Sequence, residues 1–202
     1  MKKLLFFDFI YNLGGAQRST LELVSNLEQN GYSTLIVDAH GEEDRFRQET
    51  SNLNLQYRVL KKTEDSRIGN ERKWLRFFLA IRYFPIYIST IYRLFKVVRV
   101  YEPAFVWTNS LKGFVCLLLL KRILGFKLGY FIRGEGAINN KSRTQVRQIN
   151  NASDIIFVQS NIMKKRRSLM VLMNGKFLLS PIQSDSIYQK KNQTIPLIKW
   201  DI

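Results

Sequence analysis

Shortly after the apolar run Leu4 to Phe7, beyond Asp8 to Tyr11, comes Asn12-Leu13-Gly14-Gly15-Ala16-Gln17-Arg18, and a helical repeat follows it. Two glycines at that point let the backbone approach a ligand with no Cβ in the way. The free N–H groups of the helix that follows favour a phosphate or carboxylate. Arg18 would add a charge-assisted contact. The spacing is not G-x-G-x-x-G, so this is not the dinucleotide fingerprint. A tight strand-to-helix turn with no ligand is the other reading of the pair. Arg133-Gly134-Glu135-Gly136 sets a guanidinium and a carboxylate between glycines. That suits a polyhydroxyl or phosphate group, with Glu135 as the one candidate base. The plain alternative is a surface ion pair worth ~0–1 kcal/mol. Asn109-Ser110 has donors and acceptors for a sugar, but Asn and Ser are also ordinary helix caps.

These groups need elements to hold them. Lys3–Phe9, Thr34–Ala39, Leu55–Leu60, Ala104–Thr108, Lys127–Ile132 and Asp154–Gln159 read as strands. The first is a continuous apolar run rather than an alternating one, the mark of a strand buried on both faces. Val171–Met173 is a further strand candidate. Ser19–Asn30 has Leu21, Val24 and Leu27 at helical spacing with Gly31 as a stop. Glu42–Thr50, Glu71–Tyr101, Lys112–Leu124, Lys141–Asn151 and Ile162–Ser168 read as helices, the second kinked or split near Pro85. Lys61–Asn70 reads as a charged loop. Strands alternating with helices predict an α/β fold, a doubly wound and mostly parallel sheet of Rossmann-like type. Ligands of such sheets bind beyond the carboxyl ends of the strands. The functional loops are therefore Asn12–Ser19, Asn109–Gly113, Arg133–Asn140 and Ser160-Asn161. His40 follows the second strand away from the glycine loop and reads as solvent-exposed.

The 202 residues are 46% hydrophobic and 24% charged, ordinary values that exclude intrinsic disorder and collagen-like fibre. The one cysteine, Cys116, forms no internal disulfide, and the one histidine excludes a His/Cys zinc site. No metal is expected. The net charge of +16 is the outlier, and it sits mainly in residues 61–150. A field of one sign in one segment points to an anionic partner: nucleic acid, a phospholipid surface or a phosphate-bearing substrate. No nucleic-acid motif is present, so nucleic acid is the least expected of the three.

Residues 77–98 are apolar enough to raise a membrane span, but they contain Arg82, Arg93, Lys96 and Pro85. A central Arg costs ~2.5–3.5 kcal/mol on insertion scales, which argues against spanning. Arg82, Ser89, Arg93 and Lys96 fall on one side at helical spacing, and Trp74, Phe77, Phe78, Phe84, Tyr87, Tyr92 and Phe95 crowd the rest. The apolar arc is too wide for one buried stripe. A cationic, aromatic-rich helix of this kind suits the interface of an anionic bilayer. A core helix with a solvated basic face is the alternative. Lys164-Lys165-Arg166-Arg167 is a second basic cluster, either a phosphate contact or solvent-exposed.

Five pieces taken in order resemble the N-terminal, acceptor-side half of a GT-B glycosyltransferase, of the kind in glycosyltransferase family 4. They are Gly14-Gly15-Ala16-Gln17-Arg18 with Gly31-Tyr32, Trp107-Thr108-Asn109-Ser110, Ile132-Arg133-Gly134-Glu135, Ala152 to Ser160, and Asn174-Gly175. The resemblance spans residues 1–180 and implies two Rossmann-like domains facing a cleft. On it, residues 181–202 would be a linker toward an absent donor-binding domain. That domain would bind the nucleotide-sugar and carry an E-x7-E glutamate pair. No two glutamates here lie eight apart. The implied protein is half of a hexosyltransferase, inactive alone, with no cofactor of its own and a nucleotide-sugar donor for the whole enzyme. Its acceptor would be a sugar, lipid-linked or on a polysaccharide. Gly14 and Gly15 match the family's phosphate-approaching loop, and Arg18, Asn109, Ser110, Arg133, Gly134, Glu135 and Ser160 complete the implied substrate-binding set. The family often has a histidine near the end of strand five, where this chain has Arg133-Gly134-Glu135. Relatives that build surface polysaccharide imply a cytoplasmic place at the inner membrane face. An exposed cleft implies a companion half or self-association. A non-enzymatic basic membrane-surface binder or scaffold is the competing function.

Overall fold

The computed structural model describes residues 1–61, 73–132, 143–158 and 177–179. Seven strands form one sheet: β1 (Lys3–Asp8), β2 (Ser33–Asp38), β3 (Gln56–Val59), β4 (Phe105–Thr108), β5 (Lys127–Ile132), β6 (Ile155–Val158) and β7 (Phe177–Leu179). Their order is β3-β2-β1-β4-β5-β6-β7, and every adjacent pair is parallel. Among the described residues the helices are α1 (Gly15–Gln29), α2 (Asp44–Asn52), α3 (Lys73–Tyr101), α4 (Leu111–Leu124) and α5 (Arg143–Ala152). The doubly wound parallel expectation holds. A seventh strand, Phe177–Leu179, is one the sequence did not suggest, and the candidate Val171–Met173 lies outside the described residues. Two sequence expectations are corrected. α1 starts at Gly15, four residues before Ser19. α3 runs through Pro85 as one helix and is not split there. Lys61–Asn70 beyond its first residue, Ile162–Ser168 and 181–202 also lie outside the described residues.

The unbroken apolar strands follow from burial on both faces. Leu5 and Phe7 point into one layer with Leu94, Val97 and Val98 of α3, Phe114, Leu117 and Leu120 of α4, and Ile149 of α5. Leu4 and Phe6 point into the other with Leu21 and Val24 of α1 and Phe46 of α2. Successive strand residues face opposite ways, so both layers draw on the same short run. Cys116 belongs to the first layer, and burial pushes its thiol up to about 12. Gly125, at φ 74°, closes α4 in the left-handed region. Asp154 ties three elements together: its Oδ2 accepts from Lys121 Nζ of α4 and from the Leu128 amide of β5, each at 2.6 Å.

Candidate functional site

Parallel strands put all their carboxyl ends at one edge. The order of the sheet reverses between β1 and β4, so a crevice opens there. Gly14 and Gly15 stand at that crevice, on the exit of β1. Gly14 has φ −96°, an extended conformation open to any residue, and Gly15 is not in the left-handed region. A Cβ on Gly15 would meet nothing within 4 Å, and one on Gly14 only the side-chain oxygen of Gln17 at 3.3 Å. Neither backbone conformation nor packing among the described residues asks for glycine. What the pair leaves is free approach to the first turn of α1. That turn has no side-chain cap; Gln17 Oε1 instead accepts from the Gly14 amide at 3.2 Å. Its remaining N–H groups keep their hydrogen-bonding capacity for something outside the helix.

Asn109, at the end of β4, donates from Nδ2 to Thr20 Oγ1 of α1 at 3.2 Å, holding the two walls of the crevice together. Its Oδ1 is buried with no partner among the described residues. Ser110 is the N-cap of α4, its Oγ accepting from the Gly113 amide at 3.0 Å. The structure thus separates the two: Ser110 is spent on the helix, and Asn109 keeps an acceptor.

Arg18 does not join them. It is two-thirds exposed, 4.0 Å from Glu49, and lines the furrow between α1 and α2 with Leu21, Glu22 and Leu53. Arg133, Gly134, Glu135 and Ser160 lie outside the described residues. The strands that precede them, β5 and β6, end at the same edge as β1 and β4. Of the basic residues on α3, Arg82 is exposed, Lys96 lies over the Tyr92 ring at 4.5 Å, and Arg93 donates to the Leu60 carbonyl at 3.2 Å.

His40 is not solvent-exposed; it is 1% exposed. Its ring lies 5.2 Å from Phe9 and 5.9 Å from Tyr11, which cover it from the exit of β1. Tyr87 of α3 reaches the same Phe9 ring at 6.2 Å. Lys112, in the first turn of α4, stands 5.7 Å from the Tyr11 ring and 6.0 Å from Phe9. Burial alone would lower its pKa, but the phenols of Tyr11 and Tyr87 outweigh that and raise it. Lys112 therefore carries its charge at neutral pH. Below this group Asp38 accepts from the His40 amide at 3.1 Å, the Ile10 amide at 3.4 Å and the Tyr57 hydroxyl at 2.8 Å. Burial and the adjacent Asp38 carboxylate push the Tyr57 phenol up, so it stays a donor. The result is an aromatic wall with one cation beside the glycine loop. Aromatic faces and a few convergent polar groups are what a sugar or sugar phosphate needs. Tyr87 belongs to the aromatic set of the long helix and Lys112 to the Asn109–Gly113 loop, but no sequence pattern links them; only the fold brings residues 9, 40, 87 and 112 together.

A separate depression of about 30 Å³ lies against α1 on the flank of the sheet, lined by Leu4, Leu27, Phe105 and Trp107 among others. It is lined by apolar groups and is the size of one water, so it contributes nothing to this site.

No protein-family model and no curated protein matches the chain in sequence. Solved structures do match its shape. The HepE protein of Anabaena in complex with UDP and glucose superposes with TM-score 0.61 at 13% identity, covering 89% of this chain and 44% of that one. Sucrose-phosphate synthase from Thermosynechococcus elongatus gives 0.63 at 12%, covering 89% and 47%. A putative UDP-N-acetylglucosamine 2-epimerase from Listeria monocytogenes gives 0.60 at 11%, covering 87% and 44%. The chain spans less than half the length of each. It shares their Rossmann-like α/β fold, and a glycosyltransferase from Rickettsia africae is also among its structural neighbours.

Proposed function

We propose that this chain is the acceptor-side half of a sugar transferase, which grips a lipid-linked or polysaccharide acceptor while a companion half brings a nucleotide-sugar. The observation that carries the reading is the glycine pair: open space over an uncapped helix N-terminus, at the switch point of a parallel sheet. Gly14 and Gly15 would admit the donor phosphates, and Asn109 and Lys112 would hold hydroxyls or phosphate on the other wall. Arg133, Gly134, Glu135 and Ser160 would complete the site from the loops after β5 and β6, with Glu135 as the candidate base. Ser110 serves mainly to start α4, and Arg18 serves the α1–α2 furrow. The place of action would be the cytoplasmic face of the membrane.

The test is transfer of radiolabelled hexose from UDP-hexose to membrane-extracted acceptor. The purified chain alone is expected to give none, and a donor-binding half with an E-x7-E pair, added in trans, is expected to restore it. Turnover by the chain alone, or none under any pairing, contradicts the half-enzyme reading. A non-enzymatic anionic-surface binder is the second reading, favoured by the outer face of α3.

A further inference from the structure

Two apolar stripes face solvent on neighbouring helices. On α3, Ile81, Phe84, Ile88 and Tyr92 are each about half exposed or more, Phe84 at 62%. At 3.6 residues per turn they fall within about 80° of arc. On α4, Val115, Leu119 and Ile123 do the same, Ile123 at 69% exposed, again within about 80°. Both helices pack on the same layer of the core and touch each other.

Three contacts orient the stripes. Arg93 reaches the Leu60 carbonyl after β3, so the flank of α3 that carries Arg82, Ser89, Arg93 and Lys96 looks to the β3 edge of the sheet. Lys121, on the far flank of α4, pairs with Asp154 before β6. Tyr87 and Lys112 meet at the Phe9 ring, which sets the two helices side by side at the strands' carboxyl edge. The apolar stripes therefore lie between these flanks, bridged by the half-buried Ile91 and Phe95. Together they make one outward apolar surface with Arg82 and Lys96 along one side, Arg99 at the C-terminal end of the α3 stripe and Arg122 on the other side, all exposed.

The charge of the two helices decides the occupant. α3 carries six Lys or Arg and α4 three, and neither contains an Asp or Glu. A second copy would oppose one such cationic face with another. No helix among the described residues is long and apolar enough to cross a membrane. We infer that the outer face of α3 and α4 seats on an anionic bilayer, with the apolar stripes entering the interface and the basic rim meeting lipid phosphates. This does not depend on the transferase reading.

The experiment is co-sedimentation of the purified chain with vesicles of phosphatidylcholine alone and of phosphatidylcholine mixed with phosphatidylglycerol, across rising NaCl. Binding is expected to the anionic vesicles and to weaken with salt. Arg82→Gln with Lys96→Gln should weaken it by roughly fivefold per charge. Phe84→Ser with Ile88→Ser, and separately Leu119→Ser with Ile123→Ser, should each weaken it on the order of tenfold or more. These side chains are exposed, so the melting temperatures should stay near that of the parent, and two independent stripes guard against one misfolded variant. Equal binding to both vesicle types, or binding unmoved by either serine pair, overturns the inference. So does a dimer in light scattering that the serine pairs dissolve, which would make the face an interface between copies. A face used by the companion half would show as serine pairs that block restored transfer and leave vesicle binding intact, the fourth overturning result.

Discussion

Gly15→Val is expected to lower sugar transfer in the two-half mixture by roughly a hundredfold, while the melting temperature of the chain hardly moves. Position 15 is the first residue of α1 and has nothing within 4 Å of a Cβ built there. Valine meets no steric penalty in the fold, and surface changes of this kind stay within about ±0.5 kcal/mol. The isopropyl group would, however, stand where a phosphate must approach the first-turn N–H groups. Displacing a reacting group by as little as ~1 Å can cost about a hundredfold. Gly15→Ala should fall between parent and valine. If glycine serves only the turn, the outcome reverses: stability drops and transfer follows it in proportion.

The largest effect on folding is expected at Gly129. It lies in the centre of β5, where a Cβ would run into the Phe105 ring, 2.9 Å from Cε1, and 3.1 Å from Phe157 Cε2. Phe105 cannot give way cheaply. It is 3% exposed, meets Phe157 edge-on at 5.9 Å and lies against the tilted Trp107 ring at 6.0 Å. Valine prefers strands to glycine by up to ~1 kcal/mol. Overpacking costs ~1–3 kcal/mol, and driving out the Phe105 ring brings the loss toward the ~3–5 kcal/mol of a deleted aromatic. The packing penalty outweighs the propensity gain. At ~2–4 °C per kcal/mol for a chain of this size, Gly129→Val should melt roughly 6–20 °C lower. Adding Phe105→Leu should recover part of the loss. An unchanged melting temperature would mean that the β4–β5 layer packs otherwise.

The same physics explains what was legible in the sequence. The sequence reading of β5 matches its observed bounds, Lys127–Ile132, because its buried apolar run stands between the closing turn of α4 and the glycine-rich Arg133-Gly134-Glu135-Gly136. The sequence pattern places the N-terminus of α1 late because Gly14 and Gly15 have poor helix propensity. That low propensity comes with the open approach on which the site reading rests. β7 has three residues and too short a pattern to register. Sequence alone makes His40 look exposed because its cover, Phe9 and Tyr11, comes from residues about thirty positions earlier. A lone polar residue after a strand looks exposed until β1 and β2 are laid side by side. Lys112 was hidden for the same reason: its aromatic neighbours come from β1's exit and from α3. The wide apolar arc of α3, by contrast, was visible, and Ile81, Phe84, Ile88 and Tyr92 are the part of it that the core leaves uncovered.

One titration bears most directly on the proposed crevice between β1 and β4. The 15N-labelled chain is followed amide by amide as sugar acceptors extracted from its own cells are added. Saturable shifts at Asn109 and Lys112 with the acceptors, and at Gly15, Ala16 and Gln17 once UDP-hexose is added, are the predicted result. Shifts confined to the furrow around Arg18 and Glu49, or spread along the opposite edge of the sheet, would contradict a sugar-binding crevice between β1 and β4.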